Sequence, residues 1–119
     1  ARSLVFGRSP DFTKGLHECV RALEAASIPI AQPNNTKATL GHVIGEVRNN
    51  ATKYAADRPA TVELFVSLTD SLWLLQSPHR HGSPVERTPP PLTREETESA
   101  FWLTVTLSTW CERGHVRRV

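Results

Sequence analysis

Apolar and polar positions follow two rhythms along this chain. From Phe12, apolar residues recur at helical spacing through Leu16, Cys19, Val20 and Leu23 until Pro29 ends the run. Ser9-Pro10-Asp11 supplies the start: an N-cap acceptor, a proline at the first helical position and an acid in the first turn. Residues 28–35 connect, with Pro29, Pro33 and Asn34-Asn35 as breakers. A second stripe of Leu40, Val43, Ile44, Val47, Ala51, Tyr54 and Ala55 predicts a helix over 36–57. Gly41 and Gly45 lie four apart inside it, a cost in propensity that permits close backbone approach.

Past Pro59 the period falls to two. Val62, Leu64, Val66 and Leu68 alternate with Glu63, Phe65, Ser67 and Thr69, Asp70-Ser71 signals a turn, and Leu72-Trp73-Leu74-Leu75 resumes. This predicts an antiparallel hairpin of 62–68 and 72–76. A helix over 62–76 would be apolar on all sides, more than a small domain readily buries. Residues 77–92 hold five of the nine prolines and read as a Pro-rich loop, long enough to carry function. Thr93-Arg94-Glu95-Glu96 opens a capping box, and Ala100, Leu103, Leu107 and Trp110 continue at helical spacing to Gly114. The alternation around Thr104, Thr106 and Ser108 also permits a strand there. Leu4 to Phe6 and residues 115–119 suit short terminal strands. Together these elements predict an α/β two-layer sandwich: a mixed, mostly antiparallel sheet covered on one face by helices of 10–27, 36–57 and 93–113.

The chain's 119 residues make one domain, 1–119, of a size that buries a core without staples. Fourteen Lys and Arg against 12 Asp and Glu leave a net charge of +2, with basic residues scattered, which argues against a nucleic-acid face. No apolar run approaches a membrane span, and Arg2 and Arg8 bracket only Leu4-Val5-Phe6, so no signal peptide is expected. Two cysteines are too few for a disulfide scaffold and point to a reducing, cytoplasmic setting. Cys19 sits on the first apolar stripe as a small core residue, whereas Cys111 is expected to be more exposed. His42, His79 and His81 lack metal-ligand spacing, and Arg113, His115, Arg117 and Arg118 read as a solvated basic tip.

The most informative segment is Leu40 to Ala55. Glu46 and Asn50 stand one helical turn apart on one face, Ala51 follows, and Lys53-Tyr54 closes the turn. This pattern resembles the N-box of the Bergerat-fold (GHKL) ATPases, and the order of elements is similar to their anti-sigma-factor serine kinase branch. The resemblance implies that Glu46 is a general base and that the Asn50 amide ligates the magnesium of Mg-ATP. Lys53, Ser77, Ala100 and Trp102 would then occupy nucleotide-site positions, with 77–92 as a lid-like loop. Ser77 stands where the family has an adenine-binding aspartate. Ala100 and Trp102 stand where it has phosphate-binding glycines. These departures imply weak or lost ATP binding. The expectation is therefore a regulatory protein acting by protein–protein binding, with a sigma factor or its antagonist as partner, no cofactor, and compatibility with a homodimer. One alternative is an active serine kinase working on Mg-ATP through Glu46 and Asn50. The other is a small interaction module unrelated to that superfamily, whose discriminating mark is a structure without a mixed sheet.

Overall fold

The computed structural model describes residues 6–7, 11–55, 59–76 and 92–119. Its elements in chain order are helix α1 (Phe12–Ala31), helix α2 (Leu40–Asn49), a 3-10 turn (Ala51–Lys53), strand β1 (Tyr54–Ala55), helix α3 (Pro59–Gln76), helix α4 (Arg94–Glu112) and strand β2 (Arg117–Arg118). The predicted α/β sandwich is overturned. Among the described residues the only sheet is a two-stranded antiparallel ribbon pairing Tyr54 with Arg118 and Ala55 with Arg117. Helices α1 to α4 hold most of the other described residues. The Bergerat resemblance falls with it, since that architecture requires a helix-covered sheet where this chain has a helical bundle.

The decisive error lies in 62–76, which forms one continuous helix, not a hairpin. Val62, Phe65, Thr69, Leu72 and Gln76 are all buried, and their spacing of three or four is that of one helical face. The two-residue alternation was an accident of an apolar-rich stretch: Leu64, placed inward by the strand pattern, faces outward, and Phe65, placed outward, is core. The Asp70-Ser71 signal is absorbed without a turn. Asp70 pairs with Arg48 of α2 at 3.3 Å, and the Ser71 hydroxyl donates to the Ser67 carbonyl one turn back.

Helix α1 begins two residues later than its sequence signal. Asp11 is the N-cap and accepts from the Lys14 N–H at 3.1 Å. The helix also runs past Pro29. That residue forfeits one backbone bond, but Ala31 beyond it is buried and Ile28 and Ile30 pack against the core, which holds the last turn in place. Helix α2 starts at Leu40, after Thr39, whose N–H donates to His42 Nδ1 at 2.9 Å. The Leu40 N–H is taken by Glu24 Oε2 of α1 at 2.7 Å, so one of the orphan donors of α2 ties the two helices together. In α4 the expected capping box forms: the Thr93 hydroxyl accepts from the Glu96 N–H, and Glu96 Oε1 accepts from the Thr93 N–H. The strand alternative for this segment is settled locally. Thr106 and Thr109 turn their hydroxyls back onto the carbonyls of Trp102 and Val105. Gly114, with φ +72°, ends the segment, and the backbone N–H of His115 returns to the Trp110 carbonyl.

Helix α1 is the hub, packed along α4 and against α2. Arg94 lies over Phe12, Cys19 meets Thr104, and Cys111 lies near Ser27 and Ala31, so α1 and α4 run in the same direction. Phe65 of α3 sits at the Cys111 end while Leu72 and Leu75 sit at the Ala100 end, so α3 runs against α4. The core between them gathers Leu16, Val20 and Leu23 with Leu40, Val43, Ile44 and Val47, then Leu107 and Val116. Ala51, placed on the buried stripe by sequence, lies exposed in the 3-10 turn, because α2 stops at Asn49. The expected strand at Leu4 to Phe6 falls largely outside the described residues, as does the Pro-rich loop of 77–92.

Candidate functional site

The pair singled out by sequence does come together. Asn50 is the C-cap of α2, and its Nδ2 donates to Glu46 Oε2 at 3.0 Å. The other oxygen, Glu46 Oε1, accepts from the Tyr54 hydroxyl at 3.0 Å. Tyr54 is buried at the start of β1, and Arg118 of β2 lies 5.8 Å from its ring centroid. Burial first, then the hydrogen bond to Glu46 and its charge, push the Tyr54 phenol up to about 12, partly offset by Arg118. Both carboxylate oxygens therefore have a protein partner, and the cluster fastens the end of α2 to the ribbon that follows. Its chemistry is that of a buttress: a carboxylate accepting from two donors, one of them a phenol held protonated.

The remaining sequence candidates scatter. Lys53 is exposed in the 3-10 turn, and Ser77 lies outside the described residues. Ala100 is buried on α4, and Trp102 of the same helix is 53% exposed, in a ring cluster with Phe6 and Phe101 at 6.0 and 5.0 Å. Glu46 and Asn50 belong to α2, which packs on α1 and α3 and makes little contact with α4. No cluster of histidine, cysteine, aspartate or glutamate suited to a metal occurs among the described residues. No described helix is long and apolar enough to cross a membrane.

A different feature gathers side chains into one place. Between the C-terminal half of α3 and the N-terminal half of α4 the described residues leave an open trough of about 420 Å³. Leu72 and Ala100 form its buried floor and Leu75 and Leu103 its half-buried walls. Glu95 and Glu96 stand on its lining at the first turn of α4, with the hydroxyls of Ser71 and Ser99 nearby. Leu74, next to the wall, is 61% exposed, and Leu64 further back on α3 is 49% exposed. Sequence reasoning missed this trough although the signal was present. The signal is the surplus of apolar positions over 62–76, more than one buried helical face uses, of which Leu64 and Leu74 are left exposed.

No family model matches the chain, and neither a curated protein nor a solved structure matches it.

Proposed function

We propose that this chain acts by binding another protein, with the α3–α4 trough as its docking surface. One observation carries the reading: α3 holds more apolar residues than its buried face uses, so that Leu64 and Leu74 are exposed and Leu75 lines an open trough. An apolar-lined trough on the surface of a small folded domain is a common mark of an interaction site. Among the described residues the trough is not enclosed, which suits a segment of another chain better than a small molecule that needs enclosure on most sides. A nucleotide has no part in this reading, because Glu46 accepts from both Asn50 and Tyr54. A sigma factor or its antagonist loses its support as partner, since that expectation rested on the family alone. We assign the chain to the cytoplasm, where thiols stay reduced, in keeping with two free buried cysteines.

The test is reconstitution. A protein captured by the chain should, once purified, bind it in calorimetry, and Leu75→Arg should weaken that binding at least about tenfold while circular dichroism stays unchanged. Equal binding by the variant would remove the trough from the account. Micromolar Mg-ATP affinity abolished by Asn50→Ala would replace protein binding with nucleotide chemistry.

A further inference from the structure

We draw no further inference here: the strongest candidate, the apolar trough between α3 and α4, belongs to the docking surface already proposed, and nothing in the structure shows what covers it.

Discussion

The Tyr54 hydroxyl donates to Glu46 Oε1 at 3.0 Å, across the turn that joins α2 to the ribbon. With Asn50 on the other oxygen, Glu46 is held at both ends, and the two residues that look catalytic in sequence are paired as a structural clasp. The clasp closes the bundle at one end: Tyr54 is the first residue of β1, and Val119 donates its N–H to the Lys53 carbonyl at 2.8 Å.

Removing the shared acceptor should therefore cost stability. A hydrogen bond to a charged group contributes about 1.5–3 kcal/mol, and Glu46→Ala leaves a buried phenol and an amide without their acceptor. Urea denaturation should record a loss of about that size, with a smaller loss for Glu46→Gln, which keeps one acceptor oxygen. A change below about 0.5 kcal/mol for the alanine variant would contradict the clasp.

Tyr54 is the chain's one tyrosine, so its titration is read without ambiguity. The folded chain should form phenolate near pH 12 instead of 10, and Glu46→Ala should bring the midpoint down. The fold favours the neutral phenol, so its contribution to stability is complete below pH 10 and is lost as pH rises from about 10 through about 12. Phenolate absorbance and melting temperature followed over that window check both statements.

The two glycines of α2 should part company. A Cβ at Gly45 meets nothing within 4 Å, so Gly45→Ala should stabilise by about 0.5–1 kcal/mol through helix propensity. At Gly41 the added Cβ would lie 3.2 Å from Trp73 Cζ2 and 3.3 Å from its Cε2, so the α2–α3 approach has to give. Thermal melts of the two variants should place Gly41→Ala below Gly45→Ala.

Neither thiol should react in the folded state. Cys19 and Cys111 are both buried and free, and burial raises both thiols, Cys111 to about 11. Modification by a water-soluble disulfide reagent near pH 8 should proceed only at the rate of unfolding, and added urea should release two thiols together. Rapid labelling of Cys111 in the native chain would restore the exposed position its sequence context suggested.

Local chemistry was legible wherever the deciding partners are near in sequence. The Thr93–Glu96 capping box, the Gly114 stop, and the buried stripe of Leu40, Val43, Ile44 and Val47 all depend on residues within two turns of one another. The juxtaposition of Glu46 with Asn50 was also legible, because a spacing of four places both on one helical face. Its purpose was not, since Tyr54 reaches Glu46 from beyond the helix end.

Residues 62–76 mark the boundary. Their composition suits a strand or a helix, and the choice depends on what covers them. Here Phe65 and Leu72 enter a core built by α1 and α2, and Asp70 meets Arg48 across the helix pair, which fixes the helical period. The sequence by itself determined the three other helices, the capping of α4 and the absence of any long apolar span. Only the tertiary structure decided that α3 is a helix, that Leu64 and Leu74 on it are exposed, and that Leu75, Leu103 and Glu95 share one trough. The physical reason is that periodicity reports which residues share a face, whereas burial of that face is a property of elements far apart in the chain.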